Sequence, residues 1–222
     1  MAIDFGTITQ FNQGGGADPW TWAHTQDKST LIFMFAGASL GSGDWDFASI
    51  KWNGVNIAWT KYLYYNSTAQ GSVFIGYLLD AAQGAYNLVL DPPDIYRAGG
   101  GAILSVGGLL SYRGVAVAGG SSTAPTVDIA TASGDLVLAV YAYQANPNYW
   151  CTLSLTGAQT LRYNKRHDDG DNRGDTEGWG ASLIATGTPT TMAGTFSLSH
   201  QWGMAALAFL PSHVGGSPMW WF

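Results

Sequence analysis

Apolar and polar residues alternate along much of the chain with a period of two. In the segment GTFSLS, Phe196 and Leu198 fall on one face, while Thr195 and Ser197 fall on the other. The segment TVDIA has the same pattern. Because a strand directs successive side chains to opposite faces, these segments predict β-strands with one buried and one solvated face. No long stretch has the period of a helix, so we expect an all-β chain.

Glycine and proline residues separate the predicted strands at the spacing typical of an antiparallel sandwich or barrel. The clearest hairpin turn is Asn53-Gly54, between the segments FASIKW and VNIAWTKYLYY. An Asn-Gly pair tolerates the positive φ angles of a type I′ turn. Further strands are predicted at Leu31–Ala38, Ser72–Leu79, Tyr86–Leu90, Ala102–Tyr112, Thr126–Ala130, Asp135–Tyr143, Trp150–Leu155, Gln159–Asn164, Gly180–Ala185, Gly194–Ser199 and Met204–Leu210.

Three predicted strands are apolar on both faces: LIFMFAGA, DLVLAVYAY and MAALAFL. In a sandwich of two sheets, one face of each strand packs on the opposing sheet, so the other face needs a separate cover. That cover could come from a long loop of the same chain or from a neighbouring subunit, and the sequence leaves both alternatives open.

We find no internal repeat in the sequence and no linker within the first 211 residues. The fold that we expect is a single antiparallel β-sandwich (jelly-roll-like) domain over residues 1–211. Residues 212–222 form a short C-terminal extension in which Gly215, Gly216 and Pro218 interrupt regular structure.

The composition restricts the kind of protein. Charged residues make up 11% of the chain, against roughly a quarter in ordinary soluble domains. The net charge of −6 argues against a nucleic-acid-binding protein, which needs a basic face. The apolar runs are shorter than the roughly 20 residues that cross a bilayer, so we expect no membrane insertion. The N-terminal MAIDFGTITQF has no basic region, so we also expect no signal peptide.

Seven segments occur in a characteristic order that ends at Pro211. They are WTWAHT, LIFMFAGASL, IKWNGVNIAW, GSVFIGYLLDAAQGAYNLVL, ILSVGGLLSYRGV, GGSSTAPTVDIATASGDLVLAV and WGMAALAFLP. This order resembles a family of β-sandwich (jelly-roll-like) proteins that are frequent in phage genomes and in some bacterial surface proteins. The shared outline of the family is a WxHT motif, a V..V..NG hairpin, an S.RGV strand and an SGDLVL strand. The resemblance implies a virion-associated or surface role and carries over no functional residue.

The residues that usually carry catalysis are sparse. Glu177 is the only glutamate, whereas most glycosidases need two carboxyl groups flanking the scissile bond. No G-x-S-x-G motif occurs, and the histidines have no metal-ligand spacing. His24 and His200 lie in apolar strand segments, where a hydrogen-bonded buried histidine is the simpler interpretation. Cys151 is the only cysteine and lies in a strand-like segment, which predicts a small buried hydrophobic residue. We therefore expect no enzymatic activity.

The segment HDDGDNRGDTEG contains the densest group of acidic residues. Closely spaced carboxylates on a loop suit Ca²⁺, which takes six to eight oxygen ligands. Arg173 occupies the third ligand position, however, and no glutamate follows at the EF-hand distance. A solvated hairpin loop and a calcium site both remain open, and Ca²⁺ is the only cofactor that we consider. The candidate metal ligands are Asp169, Asp171, Asp175 and Glu177.

Ten tryptophans raise the question of carbohydrate binding, because flat aromatic faces stack on sugar rings. Trp52 and Trp59 lie within predicted strands and are expected to be packing residues. For the tryptophans near loops or strand ends, core packing and glycan contact are the two alternatives. These candidates are Trp45, Trp150, Trp179 and Trp202.

The C-terminal extension ends in apolar side chains that a soluble monomer rarely leaves exposed. Burial of each aromatic ring contributes about 1.5–3 kcal/mol, so we expect these side chains to dock. They fold back on their own domain or enter a groove of another copy or of another virion protein, and we favour the second alternative. The docking residues are Met219, Trp220, Trp221 and Phe222.

Together these observations predict a non-enzymatic structural protein of a bacteriophage particle, such as a head-decoration, tail, spike or fibre component. It is expected to form homo-oligomers through its apolar strand faces and its aromatic C-terminal arm. Synthesis in the host cytoplasm and release without a signal peptide, as part of the virion, would fit the composition. The alternative is a host-adhesion module that binds a surface glycan.

Overall fold

The computed structural model describes residues 2–14, 19–39, 46–65, 70–92, 96–144, 150–167 and 176–212. Within these ranges the chain is all-β, with 17 strands and no helix. Accordingly, the described residues include no helix long and apolar enough to cross a membrane.

The first nine strands end just before Gly108. They are β1 (Asp4–Gly14), β2 (Trp20–Gln26), β3 (Thr30–Ser39), β4 (Ser49–Trp52), β5 (Val55–Asn56), β6 (Ala58–Tyr65), β7 (Gln70–Leu78), β8 (Gly84–Asp91) and β9 (Tyr96–Gly107). The remaining strands are β10 (Leu109–Ser122), β11 (Thr126–Ile129), β12 (Leu136–Gln144), β13 (Leu153–Leu155), β14 (Thr160–His167), β15 (Thr176–Ile184), β16 (Thr190–Phe196) and β17 (His200–Pro211).

The described strands form four antiparallel sheets. Sheet I has the order β2-β8-β4-β5, and sheet II has the order β1-β9-β3-β7-β6. Sheet III has the order β10-β17-β12-β15-β14, and sheet IV has the order β11-β16-β13. The buried side chains place the sheets in the layer order I, II, III, IV, because one apolar core joins each neighbouring pair. The expected single sandwich has two sheets, whereas this part of the chain has four.

The central core lies between sheets II and III and consists mainly of aliphatic side chains. Ile32 and Met34 of β3 pack in the same cluster as Leu138 and Val140 of β12. All four side chains are fully buried. The two five-stranded sheets therefore pack face to face and form the middle of the molecule.

The two outer cores are rich in aromatic side chains. Between sheets I and II, Trp20 and Trp52 pack in one cluster with Phe33 and Phe35. Between sheets III and IV, Phe196 packs against Tyr143, with ring centres 5.2 Å apart. Sheets I and IV therefore cover the outward faces of sheets II and III.

This layer order explains the strands that are apolar on both faces. In β3, Ile32 and Met34 enter the central core, whereas Leu31 and Phe33 enter the core beneath sheet I. The cover that we expected from a loop or a neighbouring subunit comes from two small sheets of the same chain. The pattern of apolar residues shows that a face is buried, but it does not identify the element that buries it.

The chain contains an internal structural repeat that we did not find in the sequence. Sheets I and II come from β1–β9, and sheets III and IV come from β10–β17. When β1, β9, β3, β7 and β6 are matched with β10, β17, β12, β15 and β14, the two five-stranded sheets have the same strand order. The β2-β8-β4 order of sheet I likewise matches the β11-β16-β13 order of sheet IV.

Gly108 separates the two repeats. Its φ angle of +77° breaks the strand that we predicted over Ala102–Tyr112. The chain turns there from β9 of sheet II into β10 of sheet III, so the prediction of one continuous strand is wrong. A left-handed backbone conformation of this kind favours glycine.

The contacts across the central core follow an approximate two-fold relation between the repeats. β1 contacts β14, and the matching pair β10 and β6 is also in contact. β3 contacts its own counterpart, β12, near the middle of the interface. Two edges of the central core are therefore equivalent by the repeat, one between β1 and β14 and the other between β6 and β10.

Several local predictions are confirmed. Asn53 and Gly54 have φ angles of +46° and +78°, as a type I′ turn requires. Val127 and Ile129 are buried in the core beneath sheet IV, as the alternation in TVDIA predicts. Phe196 is buried in the same core, and Thr195 beside it is exposed.

Candidate functional site

A row of four side chains crosses the outer face of sheet III at one end of its strands. Glu177 of β15 stands opposite Arg166 of β14 on one side and opposite Tyr143 of β12 on the other. Tyr143 also stands opposite Trp202 of β17. Because directly opposite residues of antiparallel strands share a face, these residues lie side by side. We call Arg166, Glu177, Tyr143 and Trp202 the Glu177 row.

Glu177 is a buried carboxyl group with 7% of its surface exposed. The backbone N–H of Cys151 donates a hydrogen bond to its Oε2 atom at 3.3 Å. Burial raises the pKa of Glu177 to about 7, although the Cys151 N–H and the charge of Arg166 act in the opposite direction. The carboxyl group therefore exchanges its proton near neutral pH.

Tyr143 is the buried neighbour of Glu177 in the row. Burial raises the pKa of Tyr143 to about 12, and the nearby Cys151 and Glu177 add to that effect. Its hydroxyl group has no hydrogen-bond partner within the described ranges. The His200 ring packs edge-on against the Tyr143 ring, with centres 5.6 Å apart. The row is thus a protonable carboxyl group in an aromatic environment, next to a single guanidinium group.

Trp150 lies at the exposed end of the row and is half-buried. The Arg166 guanidinium carbon lies 2.9 Å from the centre of the Trp150 ring, which is a cation–π contact. Since Arg166 itself is exposed, this pair forms a solvent-accessible aromatic and cationic surface.

Two of the predicted glycan-contact tryptophans lie in the core. Trp179 is 2% exposed and packs against Phe196, and Trp202 is 5% exposed. The Trp202 Nε1–H donates a hydrogen bond to Ser122 Oγ at 3.1 Å. Neither ring has a face open to a sugar, so packing is the interpretation that fits these two. Trp45 lies outside the described residues.

The described structure includes one of the four predicted calcium ligands. Asp169, Asp171 and Asp175 lie outside the described residues, whereas Glu177 is a buried member of the row. The parts of the chain that are described contain no group of three histidine, cysteine or acidic residues that could hold a metal ion.

Cys151 is a buried residue with 2% of its surface exposed, as its sequence context predicts. Its Sγ atom accepts a hydrogen bond from Ser197 Oγ at 3.6 Å. The thiol is enclosed between sheets III and IV, where it packs with the other residues of that core.

A second polar cluster surrounds His24 between sheets I and II. The His24 Nδ1 atom is 2.8 Å from Thr9 Oγ1, and Nε2 is 3.1 Å from Ser105 Oγ and 3.2 Å from Gln26 Oε1. Burial lowers the pKa of His24, although Gln26 and the charge of Asp27 oppose the shift. The prediction of a hydrogen-bonded buried histidine is confirmed for His24. His200 is instead half-buried, and its Nδ1 atom has no hydrogen-bond partner among the described residues.

The strand β10 carries an unusual number of exposed apolar side chains. Leu110, Val115 and Val117 are 59%, 45% and 43% exposed. β10 is one of the two outer strands of sheet III and pairs only with β17 among the described strands. We call Leu110, Val115 and Val117 the β10 surface.

The predicted docking residues Met219, Trp220, Trp221 and Phe222 lie outside the described residues. The last described residue, Ser212, donates a backbone hydrogen bond to the carbonyl oxygen of Gly108 at 2.7 Å. Since β10 begins at Leu109, the extension starts beside the first residue of β10.

Arg166 and Tyr143 are members of the row that the sequence did not indicate. Their proximity to Glu177 depends on the register of β14, β12 and β15, for which the sequence has no local signal. Comparisons with protein-family models, with curated proteins and with solved structures find no match for this chain.

Proposed function

We propose that the chain is a non-enzymatic structural protein of a bacteriophage particle, in which copies associate through the β10 surface and the C-terminal arm. In this proposal each repeat is a jelly-roll-like sandwich, and the shared central core joins the two repeats into one building block. The observation that carries the proposal is the position of the exposed apolar side chains. Of the six large ones among the described residues, three lie on β10.

The position of β10 at the edge of sheet III suggests that a second copy covers its apolar side chains, which would otherwise be left in solvent. An outer strand has unpaired backbone N–H and C=O groups, and natural proteins usually protect such edges with charges, prolines or short strands. β10 is 14 residues long, and apart from Arg113 and two register shifts near its start it presents apolar side chains, including Val115 and Val117. The C-terminal arm begins beside its first residue, so the arm and the β10 surface would form one contact region.

The apolar strand faces that first suggested oligomers are covered within the chain, so they do not take part in this proposal. The phage assignment is supported by the family resemblance and by the weakly charged composition. The non-enzymatic role is supported by two buried carboxyl groups that are occupied within the fold. Glu177 accepts a hydrogen bond from the Cys151 N–H beside Tyr143, and Asp135 forms an ion pair with Arg113.

A charge on β10 tests the proposal. Val117→Lys should weaken self-association because a lysine on an outer strand opposes pairing of strands from two copies. Val55→Lys is the matched control, because Val55 is 52% exposed on the short β5 hairpin. Sedimentation velocity should show a lower association state for Val117→Lys alone. Equal sedimentation of both variants and the unmodified chain would contradict a role for β10.

A second candidate function is glycan binding, favoured by the Trp150–Arg166 pair. This ring is half-buried, is stacked on one cation and lies in the connection before β13. Binding of a host polysaccharide should be lost in Trp150→Ala and kept in Trp150→Phe, which retains an aromatic face. A glycan array without any saturable ligand would dismiss this candidate.

A further inference from the structure

The two equivalent edges of the central core differ in shape. One groove, between β10 and β6–β7, is lined by Tyr77 and Tyr112 among others. The other, between β1 and β14–β15, is lined by Phe5, Arg162 and Ser182 among others. We call them the Tyr77 groove and the Arg162 groove. Their volumes are about 240 and 430 Å³.

The strand register identifies the matching positions in the two grooves. Tyr77 stands opposite Ile32, as Ser182 stands opposite Leu138 in the second repeat. By the same relation, Tyr112 of β10 corresponds to Phe5 of β1. Tyr112 pairs with Phe209 of β17, and Phe5 pairs with Val106 at the matching end of β9.

A pair of aromatic rings narrows the Tyr77 groove. The Tyr77 and Tyr112 rings are stacked, with centres 5.1 Å apart. At the position of Tyr77 the second repeat has Ser182, whose small side chain leaves the Arg162 groove open. The smaller side chain at this position contributes to the larger volume of the Arg162 groove.

Arg162 is held in place by two contacts. Its Nε–H donates a hydrogen bond to Ser182 Oγ at 2.7 Å, and its guanidinium carbon lies 3.5 Å from the centre of the Phe5 ring. Burial lowers the pKa of the guanidinium. Within the described ranges the ion pairs involve Lys28, Lys61 and Arg113, so no described carboxylate neutralises Arg162. The groove thus contains a fixed positive charge without a counter-ion among the described residues.

The rest of the groove is mainly apolar. The Thr160 hydroxyl is the other polar side-chain group besides those of Arg162 and Ser182. The apolar walls are formed by Ile3, Phe5, Leu136, Ala158, Leu183 and Ile184. A ligand that matches these walls needs an apolar body, and a ligand that matches Arg162 needs a planar anion.

We propose that the Arg162 groove binds a small organic carboxylate with an apolar body. The carboxylate pairs with the guanidinium, whose planar fork matches its two oxygens, and the body lies against the apolar walls. The volume lies within the range of small-molecule sites, about 300–1,000 Å³. Because Phe5 and Ser182 already hold the guanidinium, little ordering is needed on binding. This site goes beyond the proposed structural role and does not depend on it.

Calorimetric titration of the full chain with octanoate tests the proposal, with octan-1-ol as the uncharged probe. Octanoate should bind saturably, and octan-1-ol should bind at least tenfold more weakly. Arg162→Gln removes the charge, and Ser182→Tyr imports the residue of the other groove. Both should weaken octanoate binding at least tenfold. The control Lys51→Gln, on the distant β4, should leave it unchanged.

Tyr77→Ser tests whether groove volume alone is enough for octanoate binding. It opens the Tyr77 groove but supplies no arginine there. It should not create a second octanoate site. The proposal would be overturned by octanoate that does not bind, by equal binding of octan-1-ol, or by unchanged binding in Arg162→Gln. Circular dichroism establishes whether each variant is folded. If Ser182→Tyr does not fold, octanoate binding by Arg162→Gln remains the test of the proposal.

Discussion

Glu177 and Tyr143 stand directly opposite each other on β15 and β12, and both are buried beneath the segment that contains Cys151. The pair places a carboxyl group that is protonated near neutral pH beside a phenol in an aromatic core. A buried carboxyl group whose neutral form is favoured makes the stability of the fold dependent on pH.

Glu177→Gln should make the fold more stable above neutral pH. The pKa of Glu177 is about 7 in the folded chain, against an ordinary value of 4.5, so the folded chain binds the proton more tightly than the unfolded chain. Its contribution to stability is complete below pH 4.5 and is lost as the pH rises to 7. Glutamine stays neutral, so the variant should gain on the order of 1–3 kcal/mol relative to the unmodified chain at about pH 8, and little at about pH 4.5.

Urea unfolding at both pH values measures this difference. Asp80→Asn, at an exposed carboxyl group, serves as the control and should leave the pH dependence unchanged. If Glu177→Gln and the unmodified chain lose stability equally between the two pH values, the buried acid is not the cause.

For His24 we expect the opposite dependence of stability on pH. Burial lowers its pKa below 6.5, so the unfolded chain binds the proton more tightly than the folded one. The contribution of the neutral ring is complete above pH 6.5 and is lost as the pH falls below that value. NMR titration should place the pKa of His24 under 6.5, and His24→Gln should reduce the loss of stability between about pH 7 and 5. A His24 ring that titrates above its ordinary pKa would contradict the buried hydrogen-bonded environment.

The central core should not tolerate a methyl group at Gly180. A Cβ atom there would lie 2.7 Å from Met34 Sδ and would also overlap the Tyr163 ring. We expect Gly180→Ala to lower the free energy of unfolding by about 1–3 kcal/mol, as overpacking of a core does. Gly187→Ala is the control, since among the described residues no atom beyond its two chain neighbours lies within 4 Å of the position that a Cβ atom would take there. Thermal unfolding measures both variants. If they are equally stable, sheets II and III are packed less tightly at Gly180 than the distances to Met34 and Tyr163 indicate.

The strands could be predicted from the sequence more reliably than their arrangement. The turn at Asn53-Gly54 has a local chemical cause, the tolerance of both residues for positive φ, so its prediction is confirmed. The apolar strands β3, β12 and β17 are also found where the sequence predicts them. The repeat was missed because it lies in strand order and register, while matching positions such as Tyr77 and Ser182 differ in side chain.

The candidate site was harder to predict for a related reason. Trp179 and Trp202 fall near strand ends in the sequence, but sheet IV covers them, and the existence of that sheet follows only from long-range pairing. Arg162 and Phe5 are 157 positions apart in the chain, and β14 contacts β1 only across the central core. No local pattern brings such residues together.

We propose above all that copies of this chain associate through β10 and the C-terminal arm. Sedimentation equilibrium of the full chain, compared with a chain truncated after Pro211, tests it most directly. The account predicts an oligomer for the full chain and a folded, more weakly associated truncated chain. A full chain that remains monomeric at every concentration, or a truncated chain with unchanged association, would contradict it.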